Sequence, residues 1–500
     1  MILRPRYNDI KIICYYLGKV IIGIGLLMLV PLLVSLVFKE WDAAFDFLIG
    51  MMASLSFGFF FVRVFYTKEE LGWMHGMIVA ALSWLVATFL SAIPLYLSGH
   101  FLTFLDTCFD TMSGFATTGL TLIGDLDHLA NSHNMWRHFI MFIGGQGIIV
   151  VALTFLIKAS GTFTMYVGEA REEKILPNVI HTARFIWTVS LVYLGVGTAA
   201  LTIIGVYEGL PVVRAFLHGM WIFMSAWDTG GFAPQSQNIL YYHSIAFEII
   251  TISLMTLGAL NFKLHYAVWT GNKKEIFKNI EVVTILITIL TTFSLCAVGL
   301  SRLGVYPEAV SLFRKGFYQL ISAHVGAGYS TIYGRQFVLE WGGLAMATTI
   351  IAMALGGCAC STAGGIKALR IGIMFKALRQ DIKKIMTPGD GVVVQTFHHI
   401  KDMVLENKHV RVAATIILCY LLVYFGGAVI GMLFGYSPIE ALFESVSATA
   451  NVGLSCGITQ ASMPNLLKLT YMVQMWLGRL EFISVFAFIG FIVALVKGRK

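Results

Sequence analysis

Four stretches of this 500-residue chain carry one short pattern. They read Ser113-Gly-Phe-Ala-Thr-Thr-Gly119-Leu120, Ser225-Ala-Trp-Asp-Thr-Gly-Gly231-Phe232, Ser322-Ala-His-Val-Gly-Ala-Gly328-Tyr329 and Ser447-Ala-Thr-Ala-Asn-Val-Gly453-Leu454. Each has a serine, a small residue, four variable positions, a glycine and a bulky apolar residue. Glycine reaches backbone angles closed to other residues, and the side chains between are largely uncharged. The chemistry this suggests belongs to the backbone. Carbonyls at Thr117, Thr118, Thr229, Gly230, Gly326, Ala327, Asn451 and Val452 would replace the hydration shell of a cation, with Gly119, Gly231 and Gly328, and Gly453 in the fourth stretch, supplying the unusual angles. One match would mean little. Four in order favour a common unit over glycines that merely end four interfacial helices.

The composition says where the elements holding such loops must lie. Apolar residues make up 57% of the chain and charged residues 12%, about half the charge of an ordinary globular domain, and mean hydropathy is +0.79. A chain of this kind cannot cover itself with a water-compatible surface, so it is expected to be a polytopic membrane protein. Apolar runs near the bilayer-crossing length of about 20 residues fall near 12–38, 41–65, 75–97, 135–158, 183–207, 240–262, 282–303, 337–375, 410–434 and 466–496. The first is too long for a signal-peptide core and has no small-residue cleavage site, so it should remain a span. Four shorter segments, near 103–116, 212–226, 309–323 and 438–449, each end at a glycine cluster and are too short to cross.

The match continues into the run after each cluster, where Ile143-Gly-Gly145-Gln146, Leu257-Gly-Ala259-Leu260, Leu355-Gly-Gly357-Cys358 and Leu477-Gly-Arg479-Leu480 align. The predicted fold is all-α. Two extra N-terminal spans (1–70) precede four pseudo-symmetric span–short-helix–span repeats around a central pore, at 71–165, 183–275, 281–384 and 410–500, with a cytoplasmic linker at 385–409. A short helix ending in a loop presents its partially negative end there. Irregular backbone at membrane depth is tolerated where protein buries it or it lines a watery cavity. Most of the 35 lysines and arginines fall on one side of this topology, including Lys158, Arg171, Lys174, Lys263 and a group between Lys367 and Arg411. The positive-inside rule then puts both termini in the cytoplasm and the four loops outside. The net charge of +8 reports orientation, and no nucleic-acid partner is expected.

Two further features stand out. The run 337–375 is interrupted by Gly356-Gly-Cys-Ala-Cys-Ser-Thr-Ala-Gly-Gly365, small residues that should break the helix in mid-membrane. The competing use is close helix packing. Gly364-Gly365-Ile366-Lys367 does not meet phosphate-loop spacing. Arg479 lies well inside a late run, where a charge is costly and faces a cavity or a partner. Glu481 is about 200° round a helix from it, so free carbonyls of the broken segment are the better acceptors. Asp110 or Glu444 is the alternative. These carboxylates and Glu481 lie in separate elements with no shared motif, which leaves no positioned pair for enzyme chemistry.

The fourfold pattern, with one glycine per cluster, resembles the Trk/Ktr/HKT superfamily of potassium transporters. Two extra N-terminal spans, Thr117-Thr118-Gly119 and Leu477-Gly-Arg479-Leu-Glu-Phe482 are most similar to its bacterial Trk membrane subunits. The resemblance covers nearly the whole chain. It implies potassium uptake across the inner membrane, with K+ as cargo and no covalently bound cofactor. It further implies a homodimer with one pore per protomer and a cytosolic nucleotide-binding regulator of the TrkA type. Glycine in all four loops resembles the potassium-selective members. Gly356–Gly365, with Gly357, Gly364 and Lys367, matches an intramembrane gating loop, and Arg479 a positive barrier tied to it. Asp228 and His324 depart from the pattern, and both fit a structural role in their loops. The competing class is a secondary transporter binding a solute at the broken helix.

The inside stretches 159–182 and 376–409 read as solvated surface that docks a partner, beside membrane lipid. His398-His399 has no further ligands clustered near it. Of seven cysteines only Cys358 and Cys360 lie close together, without a neighbouring His or carboxylate, so no metal site is expected.

Overall fold

The computed structural model describes residues 5–150, 162–170, 179–388 and 393–498. Lys158, Arg171 and Lys174 lie outside them, as do residues 151–158 of the fourth apolar run. Nearly every described element is a helix, the structure that satisfies backbone polar groups internally in lipid. Six helices among the described residues are long and apolar enough to cross a membrane: Tyr7–Phe38, Trp41–Val64, Trp73–Leu97, Val179–Tyr207, Ile280–Leu303 and Asn407–Leu433. The number rises to eight if each of two bent pairs counts as one span.

Their sequences explain their places. Trp41–Val64 has only 22% of its apolar window inside the protein, whereas Trp73–Leu97 has 72% and lies in the core. The outer helix turns Phe45, Phe57, Phe59 and Phe60 outward. It packs on Tyr7–Leu27 through small residues: a Cβ on Gly58 would sit 2.6 Å from Ile22 Cγ1, the close approach that glycine permits between helices.

Four short helices occupy the segments that the sequence marks as too short to cross. They are Phe104–Phe115, Val212–Trp227, Pro438–Thr449, and a third built from Ala309–Ser311, the π-turn Leu312–Phe317 and Tyr318–His324. Twelve residues make about 18 Å of helix against a hydrocarbon core of about 30 Å. Thr103 with Asp106, and Ser437 with Glu440, form capping boxes at two of the starts. The last seven residues of each are buried.

The aligned glycine positions all mark breaks, not only the third. The run expected at 240–262 bends by 99° between Ile245–Gly258 and Phe262–Trp269, and the last run bends by 113° between Asn465–Arg479 and Ile483–Lys497. Asn261 Oδ1 accepts from Lys263 N and starts a new helix after the first bend. Positive φ at Glu481 and Phe482 makes the second. Asn131–Gln146 ends at Gly147, with φ +96°. In the third run, residues 355–367 are non-helical between Gly342–Ala354 and Ala368–Met386.

The stretch after Met386 is not wholly a polar loop. Thr396–His399 pairs antiparallel with Lys401–Val404, and this hairpin docks on the short helix Glu275–Lys278. His398 Nδ1 meets Asp402 Oδ1 at 2.8 Å, its Nε2 meets Glu275 Oε2 at 3.1 Å, and Ile400 N donates to Glu275 Oε1. Asp402 first, and Glu275 with it, raise the His398 pKa above the ordinary imidazole value. Partial burial opposes this, and Lys278, Lys376 and Arg379 line the same cavity. A raised folded-state pKa favours the docked hairpin fully below the unfolded imidazole pKa, and that support is lost as pH rises through the higher folded value. Protection of the Ile400 amide from hydrogen exchange should therefore fall several-fold between pH 6 and pH 9 after correction for intrinsic rates. Glu275→Gln should flatten the profile.

Candidate functional site

Each short helix ends in the same turn. The amide five residues after the pattern serine donates back to that serine's carbonyl: Thr118 to Ser113, Gly230 to Ser225 and Ala327 to Ser322 at 2.8 Å, and Val452 to Ser447 at 2.9 Å. The residue before that amide has positive φ, at Thr117 (51°), Thr229 (50°), Gly326 (76°) and Asn451 (55°). So has the glycine after it, at Gly119 (91°), Gly231 (77°), Gly328 (72°) and Gly453 (89°). Three of the four first positions carry side chains in this sparsely populated region, a strain that persists where surroundings over-determine the backbone.

The surroundings are the other loops. A Cβ on Gly119 would lie 2.1 Å from the Gly230 carbonyl oxygen, and one on Gly231 would lie 2.4 Å from that of Ala327. One on Gly328 would lie 2.0 Å from Val452 O, and one on Gly453 1.8 Å from Thr118 O. Each glycine thus abuts the next loop's carbonyl, and the fourth returns to the first: the four loops close a ring. Asn451 Nδ2 also donates to Thr118 Oγ1 across the closing seam. All twelve candidate ligand and glycine positions lie in this ring.

The aligned glycines of the following helices support it from behind. Cβ atoms on Gly144, Gly258 and Gly478 would meet the carbonyl oxygens of Phe115, Trp227 and Thr449 at 1.9, 1.9 and 1.8 Å. These carbonyls end the first, second and fourth short helices. The third position differs, because Gly356 faces the Gly364 carbonyl instead.

The small-residue segment is folded back beneath the ring. Gly356 N donates to Ile366 O, and Ile366 N to Ala354 O. Thr362 Oγ1 donates to the carbonyls of Trp227 and Gly258, and a Cβ on Gly364 would lie 2.3 Å from Ala450 O. Gly357 lies against Ala259, and Gly365 has φ +70°. Lys367 Nζ donates to the Ala363 carbonyl. Ala359 N donates to Glu281 Oε1 at 2.6 Å, which fixes the segment to the start of the Ile280–Leu303 span.

Arg479 joins this segment to the ring. Its Nη1 donates to Thr362 O at 2.5 Å and Thr117 Oγ1 at 3.2 Å, and its Nη2 to Gly144 O at 2.6 Å and Gly145 O at 3.1 Å. These four acceptors are neutral. Asp110 instead binds Arg137, both fully buried, and Glu444 accepts from Ser455, Cys456, Ile458 and Thr459. Glu481 pairs with Arg370 and Lys367. A cavity of about 20 Å³ lies between Arg479, Glu169, Ser361, Gly364, Lys367 and Glu481. The two departing residues sit in structural networks. Asp228 accepts from Gln146, whose carbonyl accepts from Ser190, and His324 Nε2 contacts Thr288 Oγ1 at 2.8 Å.

Sequence reasoning missed Thr362 and Glu281. Their contacts join residues far apart in the chain, and the only signal was a carboxylate at the first turn of an otherwise apolar span.

Helices long and apolar enough to cross a membrane, with four short helices that end in a closed ring of backbone turns, define an integral membrane protein. A family model described as a cation transport protein, TrkH, matches residues 43–282 and 276–493. An uncharacterized cation transporter of Methanocaldococcus jannaschii is 33% identical over 97% of this chain and 96% of its own length. The Trk system potassium uptake protein TrkG of Escherichia coli is 27% identical over 95% and 96%. The crystal structure of the potassium transporter TrkH from Vibrio parahaemolyticus shares the fold, with a TM-score of 0.81 and 24% identity over 95% of this chain and 98% of that one. The chain belongs to the TrkH family of cation transport proteins.

Proposed function

We propose that this protein takes up potassium ions through the ring of four loops. The observation that carries the reading is the ring's closure. Four segments distant in sequence adopt one backbone conformation and abut in cyclic order, which is the arrangement a shared axial ion site requires. Alternating φ signs over three successive residues turn successive carbonyls toward one side, where they replace water around a cation. The loops carry almost no charge, so the ligands are carbonyls at Thr117, Thr118, Thr229, Gly230, Gly326, Ala327, Asn451 and Val452. Relatives named as potassium uptake proteins support potassium as the ion.

In this reading the chain divides into the N-terminal pair 1–70, repeats at 71–165, 183–275, 281–384 and 410–500, and the linker 385–409. Both termini are cytoplasmic. Gly356–Gly365 gates beneath the ring, with Lys367 and Arg479 holding it closed. The protein works as a homodimer with a TrkA-type nucleotide-binding regulator, docked on the cytoplasmic stretches. Rescue of a potassium-uptake-deficient cell at low external potassium tests the function. Growth restored by this chain with its regulator supports it. No growth, with the protein present in the membrane, refutes it.

A further inference from the structure

A second repeated feature lies behind the ring, at positions the function does not use. Three residues before each pattern serine stand Asp110, Ile222, Gln319 and Glu444, and two residues after each ring glycine stand Thr121, Ala233, Ser330 and Ser455. Thr121 Oγ1 donates to Asp110 Oδ1 at 2.5 Å, and Ser455 Oγ donates to Glu444 Oε1 at 2.5 Å. Gln319 Nε2 donates to Ser330 Oγ at 2.6 Å. The sequence spacing is eleven residues in all three. In each case the hydroxyl also accepts the amide two residues further on, from Ile123, Ile332 and Gly457. Asp110 and Glu444 therefore do share a motif, contrary to the expectation from sequence.

The second loop breaks the pattern with an apolar pair, Ile222 and Ala233. It is held from outside itself: Tyr329 Oη donates to Ile222 O, and Asn238 Nδ2 donates to Gly231 O. The helix-side acids and amide of the other three loops are fully buried. A polar group at that depth is costly unless hydrogen-bonded, so each strap is held closed by the same burial that surrounds it.

We infer that Asp110–Thr121, Gln319–Ser330 and Glu444–Ser455 are positioning residues that fix the carbonyl spacing of the first, third and fourth loops and so set discrimination between potassium and sodium. The inference rests on the proposed ion path. Each strap ties the chain leaving a ring glycine to the helix that delivers it, so the turn between is clamped at both ends. Carbonyl spacing and field decide which cation is well coordinated. Loosening the clamp lets the carbonyls close on the smaller ion. The second loop, without an internal strap, follows its neighbours.

The test removes the hydroxyls, which are small and leave the helices intact. Full-length Thr121→Val, Ser330→Ala, Ser455→Ala and the triple variant are expressed in a potassium-uptake-deficient cell. Rubidium and sodium uptake are measured per amount of protein in the membrane. Each single change should lower the rubidium-to-sodium ratio about threefold and the triple about tenfold or more, whereas Ser330→Thr and Ser455→Thr should restore it. An unchanged ratio overturns the inference. So does a parallel fall in both fluxes, which would mark a merely structural role. Gly453→Ser is run alongside: if it shifts the ratio and the strap variants do not, the straps alone fail, and if neither shifts it the ring is not the filter.

Discussion

Replacing Arg479 with alanine should raise potassium influx by one to two orders of magnitude. The guanidinium is held by four neutral acceptors on three different segments, and Glu481 nearby is engaged by Arg370 and Lys367. The guanidinium lies directly beneath the ring, beside a small cavity that Glu169, Lys367 and Glu481 also line. At an effective dielectric of about 20, two unit positive charges about 6 Å apart repel by about 3 kcal/mol, close to a hundredfold in the occupancy of a cation there. The same side chain ties Thr362, in the folded-back segment, to Gly144 and Gly145, so its loss also frees that segment to move. Two variants separate the effects. Arg479→Lys keeps the charge but loses the planar fork, and should stay near the parent flux if repulsion dominates. Arg479→Gln keeps donors without charge and should conduct almost as well as alanine. Flux unchanged or lowered in Arg479→Ala, with normal protein in the membrane, would show that Arg479 is not a barrier.

Substituting Gly453 by serine should cost at least tenfold in potassium-over-sodium discrimination. Two penalties combine at this position. Its φ is +89°, where a side chain is disfavoured by about 1–2 kcal/mol. Its Cβ would fall 1.8 Å from the Thr118 carbonyl oxygen, far inside ordinary van der Waals contact. The carbonyl must move by more than 1 Å, and because each loop braces the next, the displacement is passed round the ring. Gly99 supplies the control. Its φ is +75° but nothing lies within 4 Å of its Cβ, so Gly99→Ser carries the angular penalty without the collision. Paired rubidium and sodium fluxes should change for Gly453→Ser and stay at the parent ratio for Gly99→Ser. Equal ratios for both would remove the loops from ion selection.

Much of the site's raw material was legible in order along the chain. The Ser-to-Gly spacing located all four turns, and the apolar segments before them fell within a residue or two of the helix ends at Phe115, Trp227, His324 and Thr449. Periodicity reveals these because a short buried helix and its terminating glycine are local events. The straps were legible only in part. Asp110 and Glu444 were noticed as buried acids, yet their partners lie beyond the turn, and nothing local says that residues eleven apart will touch.

What the sequence determined by itself was the apolar, membrane-spanning character of the chain and the positions of the four Ser-to-Gly turns. The tertiary structure decided the cyclic order of the loops and the binding of Arg479 to Thr362 rather than to a carboxylate. It also decided the different outcomes at the aligned glycines: a 99° bend after Gly258, a 113° bend after Gly478 and a folded-back segment after Gly356. The physical reason is one of distance. Hydropathy and glycine act within a few residues, whereas a carbonyl's position against the next loop, or a guanidinium's choice of acceptor, depends on groups hundreds of residues away that only packing brings within 3 Å.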